Sequence, residues 1–350
     1  MISTDCANRV NETLKELEKI PDQLIADVET CIAKALPFAS PSRLADPALQ
    51  LDRIGSEMWN AATNLLRQSQ EPDMSPSMDT HTICVLRVFG FLLIDAAQHA
   101  SSNRTKHTER CIRTFKLALK ACRFSLDSGE LQLAMKVLER CSDYASTAEE
   151  ETPVVRLSVS DKRRESLSTL KLLVAEYHLL RMTHAWKTDR HDLAEHFYNK
   201  LDFTHLATSA SLAEKAADVF HEAARSLAKC HTWDLVATWC DRALKALEGC
   251  NIEDLSYCTP ELRLAISATY VHALKGLGHT EGITKALQLL DSLEQDHGMG
   301  NRITVCLLRF DVLSSVQEPI AEELSRIVTH MLRTAVLTGQ TFQVYVVELR

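Results

Sequence analysis

The chain is 350 residues long, 45% hydrophobic, 25% charged and 6% aromatic, with a formal net charge of −8. Its 10 glycines and 9 prolines lie well under the usual shares of about 7% and 5%. That argues against a sandwich or barrel, which needs a turn roughly every eight to twelve residues, and against an α/β enzyme with glycine-rich phosphate loops. A normal apolar fraction excludes disorder as the main state, and 47 acidic against 39 basic residues is the wrong balance for a dedicated DNA-binding module.

The 11 cysteines form no C-x-x-C pair. Most fall in apolar helical stripes, where a free thiol acts as a small hydrophobe, and such usage fits a reducing compartment, cytosol or nucleus. The amino terminus has no basic region followed by an apolar core, so no secretory signal is expected. The most apolar stretch, 83–100, is broken by Arg87 and Asp95, and its longest uninterrupted run falls far short of the ~20 residues of a membrane span. Lys162, Arg163 and Arg164, set between Asp161 and Glu165, read as a solvated helix face.

In chain order, 5–20 reads as a polar amphipathic helix, and Pro21 starts a second one to about residue 36. Segment 37–47 reads as a linker. A third helix carries Leu51, Ile54, Met58, Ala62 and Leu65 on one face; 68–79 is a low-complexity loop and 80–100 a strongly apolar helix. Helices over 105–126 and 130–144 are joined through Asp127, Ser128 and Gly129, and a loop is expected over 145–160. A long helix, 161–187, bears Leu170, Val174, Tyr177 and Leu180; its short partner, 191–201, bears Ala194, Tyr198 and Leu201. Next come the stripes Leu212, Ala216, Val219, Phe220, Ala223, Leu227 and Trp233, Val236, Cys240, Ala243, Leu247. Thr259 reads as an N-cap with Pro260 at the first helical position and Glu261 in the first turn. That helix carries Leu262, Ile266, Tyr270, Ala273 and Leu277, and its partner Ile283, Ala286, Leu290 and Leu293. Met299 and Gly300 close the unit, and three more helical segments follow. The β-prone stretches 153–160 and 343–347 are expected as loop and helix. The resulting division is 1–67 amino-terminal helices, 68–79 loop, 80–160 degenerate helical repeats, and 161–350 repeats of a clearer kind, with the array incomplete at its carboxyl end.

Helix, tight turn, helix, repeated, invites a tetratricopeptide (TPR) register. Small residues at positions 8 and 20 let paired helices meet, and a bulky residue at 24 fills the gap between units. Ala134, Ala194, Val236 and Ala286 take position 20, at spacings of 60, 42 and 50 residues, not the ~34 of a regular array. A non-repetitive bundle is one reading. The other, taken here, is an all-α, irregular TPR-like superhelix, a solenoid of antiparallel helix pairs. In such a superhelix the first helices line the concave side, where residues outside the packing stripe are free to bind a partner. Register positions 2, 5, 9 and 13 supply Asp218, His221, Arg225 and Lys229; neighbouring units supply Glu176, Thr183 and Lys187, and Lys275. The cluster is locally basic and suits an acidic partner segment, or is simply solvated. Trp233 sits in the packing stripe and Trp239 flanks it; both read as packing residues, and Trp239 is the better candidate for a partner anchor.

No enzyme site is expected. His191 and His196 are five apart, not the four that a zinc-binding helix needs. Gly276, Gly278 and Gly282 follow a helix, not a strand, and read as a helix end and turn. No cofactor, metal, small-molecule substrate or sequence-specific nucleic acid is called for.

The stretches AEHFYNKLD (194–202), SLAEKAADVFHEAARSLAKCHTWDLVATWCDRALKAL (211–247), ELRLAISATYVHALKGLGHTEGITKALQLLDSLE (261–294) and ITVCLLRFDVLSSVQEPIAEELSRIVTHML (303–332) occur in that order. In order and character they resemble the core of the meiotic Zip-four / sporulation-protein-twenty-two family, over about residues 165–350. The resemblance implies a TPR-containing scaffold of synaptonemal complex assembly and crossover formation, in the nucleus on meiotic chromosomes, with chromosome-axis or crossover proteins as partners. Family members are usually several times longer, so the chain looks truncated, and an unpartnered last pair would favour self-association. A general TPR adaptor, such as a cochaperone or transcription-regulator subunit, is the alternative.

Overall fold

The computed structural model describes residues 8–10, 12–13, 22–34, 45–69, 79–100, 107–151, 161–295, 303–316 and 321–334. Among them every regular element is helical and none is a strand. The readings at 37–44, 153–160, 299–300 and 343–347 lie outside the described residues. The chain divides into two compact units, 1–205 and 206–350.

The first unit holds α1 (Asp22–Lys34), α2 (Ala45–Ser69), α3 (Thr80–Ala100), α4 (His107–Asp127), α5 (Leu131–Glu151), α6 (Asp161–Lys187) and α7 (His191–Asn199). Two boundaries differ from expectation. Helix α2 starts inside the expected linker, because Pro47 falls in its first turn, where proline is tolerated. Helix α5 runs on to Glu151 through the expected loop, since no glycine or proline stops it before Pro153. The Asp79 side chain caps α3 by accepting from the Thr82 N–H at 2.6 Å.

Helix α3 is the spine of this unit. It is long and apolar enough to cross a membrane, but 78% of its most apolar window is buried inside the fold. Helices α1, α2, α4 and α5 all pack on it. The approach of α2 is close: a Cβ on Gly55 would stand 2.8 Å from the Gly90 carbonyl oxygen, and one on Gly90 would stand 3.1 Å from that of Gly55. Asp95, fully buried on α3, is compensated by Arg140 of α5, whose Nε donates at 2.9 Å, and by the hydroxyl of Tyr144. A carboxylate buried without such partners would cost several kcal/mol.

The second unit follows α8 (Phe203–Ala207), the short helix at the division. It holds α9 (Ala210–Ala228), α10 (Trp233–Glu248), α11 (Thr259–Gly276), α12 (Thr280–Gln295), α13 (Ile303–Ser314) and α14 (Ala321–Thr334), with a 3₁₀ turn at Ile252–Asp254. Each helix packs on the next; in addition α9 reaches α11, and α11 reaches α13. This is the neighbour pattern of serial helix pairs. Helix α11 begins one residue earlier than expected. Cys258 is its N-cap, Thr259 and Pro260 are its first two residues, and the cap makes no side-chain hydrogen bond. The Thr259 hydroxyl donates instead to Glu214 of α9.

The register expected from the sequence coincides with the interior. Ala134, Ala194, Val236 and Ala286 are all 0% exposed. A second regularity was not legible in the sequence. Gly129, Asp189 and His231 have φ of 79°, 56° and 57°, and all three stand five residues before those position-20 residues. In each turn the next residue donates to the carbonyl five back: Glu130 to Ser125 at 2.8 Å, Arg190 to Ala185 at 2.8 Å, Thr232 to Leu227 at 3.4 Å. That is the Schellman closure of a helix C-terminus, used three times at one register position. The left-handed conformation costs a non-glycine residue roughly 1–2 kcal/mol. Asp189→Gly should therefore stabilise the fold by about 1 kcal/mol and Gly129→Ala should weaken it by a similar amount, read as opposite shifts of the urea midpoint.

Candidate functional site

The residues expected on a partner-binding face divide between the two units. In the first, Glu176 accepts from Arg123 at 3.1 Å and ties α6 to α4. Thr183 donates to the Leu179 carbonyl of its own helix at 2.9 Å, and Lys187 is exposed in the last turn of α6.

In the second unit, α9, α11 and α13 stand side by side and polar contacts join them in a row. His221 of α9 hydrogen-bonds the Thr269 hydroxyl of α11 through Nε2 at 2.9 Å, and that hydroxyl donates to the Ala265 carbonyl at 3.1 Å. Lys275 of α11 donates to both carboxylate oxygens of Asp311 of α13, at 2.6 and 2.7 Å. His272 lies 3.9 Å from the same carboxylate.

These contacts revise the expected set. His221 is not a free recognition residue: it is 7% exposed, and burial together with the Arg225 charge lowers its pKa. Lys275 is committed to Asp311. Asp218, Arg225 and Lys229 do face solvent, on the α9 surface opposite its buried stripe. Trp239 does not serve as an exposed anchor, being 4% exposed, with its ring centroid 5.8 Å from that of Phe220 and Arg242 stacked on it at 4.4 Å. Both tryptophans are packing residues. Trp233 is the less buried, and its indole lies over the end of α11, where a Cβ on Gly276 would come within 2.7 Å of the ring.

Sequence reasoning missed the partners that fix this surface. Thr269 and Asp311 are 48 and 36 residues from the groups they hold, and no local pattern marks them. Nor does one mark Glu214, which accepts from the Ser256 N–H at 2.6 Å and from Thr259. Desolvation would raise the Glu214 pKa, but those hydrogen bonds outweigh it and hold it below the ordinary value. Exposed side chains beyond the candidate set include Tyr257 at 93% and Leu235 at 51%. Among the described residues no group of three or more His, Cys, Asp or Glu could hold a metal ion.

Residues 184–350, from the last turn of α6 through the whole second unit, match the family described as "Meiosis protein SPO22/ZIP4 like". This is the family the segment order suggested, and the match supports a meiotic role. No curated protein and no solved structure gives a significant match to the chain.

Two buried histidines, His178 of α6 and His221 of α9, make the fold sensitive to acid. His178 of α6 is 5% exposed against the Tyr177 and Phe197 rings, and its pKa is lowered to about 4, first by burial and then by nearby Lys200 and Arg181. The unfolded chain takes up this proton near pH 6.5 and the folded chain does not. Stability therefore falls as pH drops from 6.5 to about 4, by roughly 3 kcal/mol for this residue. In urea titrations across that window, His178→Phe should flatten the slope; an unchanged slope would contradict the assignment.

Proposed function

We propose that this chain is a non-catalytic scaffold that holds other proteins during meiosis, acting in the nucleus on meiotic chromosomes to promote synaptonemal complex assembly and crossover formation. The observation that carries the reading is the match of residues 184–350 to a meiosis family. The fold supports it. Serial helix pairs leave one side of each first helix unpacked, so α9, α11 and α13 offer a row of neighbouring faces suited to an extended or helical partner segment. The helix pairs are read as an irregular TPR-like array, with the aligned left-handed turns and the buried position-20 residues in support.

Within that array the recognition surface centres on Arg225 and Lys229, one turn apart and exposed on α9. Their charge is not spent in any ion pair among the described residues, in contrast to Lys275. An acidic segment of a partner protein fits them, since charge complementarity speeds encounter and selects among partners. Asp218, about three turns away from Lys229, sets the acid-repelling end of the strip.

The reading is tested with a tagged full chain in meiotic cells. The wild type should collect on chromosomes during prophase of the first division. Arg225→Glu combined with Lys229→Glu should lose at least tenfold in partner recovery while its stability stays within about 0.5 kcal/mol of wild type, as expected of exposed positions. Diffuse distribution of the wild type in meiotic cells would contradict the meiotic role. Full partner recovery by the double variant would contradict the placement of the surface.

A further inference from the structure

The first unit contains a guanidinium that the fold buries in part and does not neutralise. Arg87 rises from α3 toward the space between α2 and α4, which both pack on α3. Its guanidinium carbon lies 5.2 Å from the centre of the Trp59 ring of α2 and 4.7 Å from that of Phe124 of α4. One Nη donates to the Thr63 hydroxyl at 3.4 Å. That hydroxyl in turn donates to the Trp59 carbonyl at 2.8 Å. The Nε is buried and has no acceptor.

Three arginines that lose solvent are met by acids, Arg140 by Asp95 and Asp143, Arg123 by Glu176 and Arg309 by Asp291 and Glu294; Arg181, stacked on Phe197, is met by the Met135 sulfur at 3.6 Å. Arg87 has no carboxylate partner among the described residues. Two aromatic contacts return about 0.5–2 kcal/mol each, and a long bond to a neutral hydroxyl returns less than a charged acceptor would. The Nε–H is closed to solvent, so the capacity left to an incoming group is the outer edge of the fork, its Nη groups. A planar carboxylate fills such an edge with two parallel charge-assisted bonds.

We infer that Arg87, walled by Trp59 and Phe124, is a receptor for an aspartate or glutamate side chain of a partner protein. The rings cover the methylene groups of the incoming side chain while the fork takes its carboxylate. Burial without a nearby acid also holds the Arg87 pKa below its ordinary value, which agrees with a site that gains by acquiring a negative charge. This receptor lies outside the segment that matches the meiosis family and does not depend on the role proposed for Arg225 and Lys229.

The test uses the full chain labelled with nitrogen-15 and follows the Arg87 Nε–Hε resonance. The probes are a capped tri-glutamate peptide, its tri-glutamine counterpart, and inorganic phosphate. A saturable shift with tri-glutamate is expected, at an affinity at least tenfold above either control. Arg87→Met should lose at least tenfold in affinity, and Trp59→Leu, which keeps the charge, at least threefold by uncovering one wall. Thermal melts establish that each variant is folded, and the wild-type titration decides the question should either variant fail to fold. Absence of a saturable shift, equal binding of tri-glutamine, or equal binding by a folded Arg87→Met variant would overturn the proposal. Phosphate binding as tightly as the peptide would overturn it in favour of a free-anion site.

Discussion

Helices that bury apolar stripes on two neighbours must approach both closely, and this fold meets that demand with residues that have little or no side chain. Gly55 faces Gly90 across α2 and α3, and Gly282 faces the backbone of Leu274 across α11 and α12, where a Cβ would stand 2.7 Å from the carbonyl oxygen. On α9, which touches both α10 and α11, Ala213, Ala216, Ala217 and Ala224 are all 0% exposed. Alanine combines the smallest side chain that retains a Cβ with the best helix propensity, so the same residues favour the helix and set its distance from its neighbours. Larger side chains in such a seam force off-rotamer packing or backbone shifts.

Once the spacing is set, polar groups fix lateral order. The His221 to Thr269 and Lys275 to Asp311 contacts run from first helix to first helix, between elements adjacent in space but separated in the chain by a whole helix. They consume some of the groups that would otherwise be available for recognition and leave others, Arg225 and Lys229 above all, pointing outward. The reading as a protein-holding scaffold depends on this sorting. A surface of this kind needs no cleft and no reactive group; it needs neighbouring helices whose outward residues keep a fixed relation, which the inter-helix contacts supply.

Much of the fold was legible in the sequence because helical periodicity is local. The stripes on α9 to α12 are buried except at Val219, Trp233, Leu262, Leu277 and Ile283, which are half-buried, and the position-20 residues fall in the interior despite spacings far from regular. What escaped notice depends on distance or on exceptions to local rules. Asp189 and His231 occupy left-handed turn positions that favour glycine, so only Gly129 could mark the motif in advance. Gly282 lets α12 approach the backbone of Leu274 on the facing helix, a contact that no local pattern marks. His221 reads as polar and therefore outward, yet its partner Thr269 brings it inside. Trp239 and Trp233 differ by six positions on one helix, and which of them is covered depends on Phe220 and Gly276, residues from the neighbouring helices.

Whether alanine-sized contacts hold these helix pairs together is tested most directly by enlarging one such contact and one matched exposed site. Ala216, on α9, is fully buried; Ala265, on α11, faces solvent. Urea unfolding of Ala216→Leu and Ala265→Leu, each in the full chain, makes the comparison. The account predicts a loss of about 1–3 kcal/mol or more at Ala216 and a change within about 0.5 kcal/mol at Ala265. Equal tolerance at the two sites would show that the seam is not closely packed and would contradict the account.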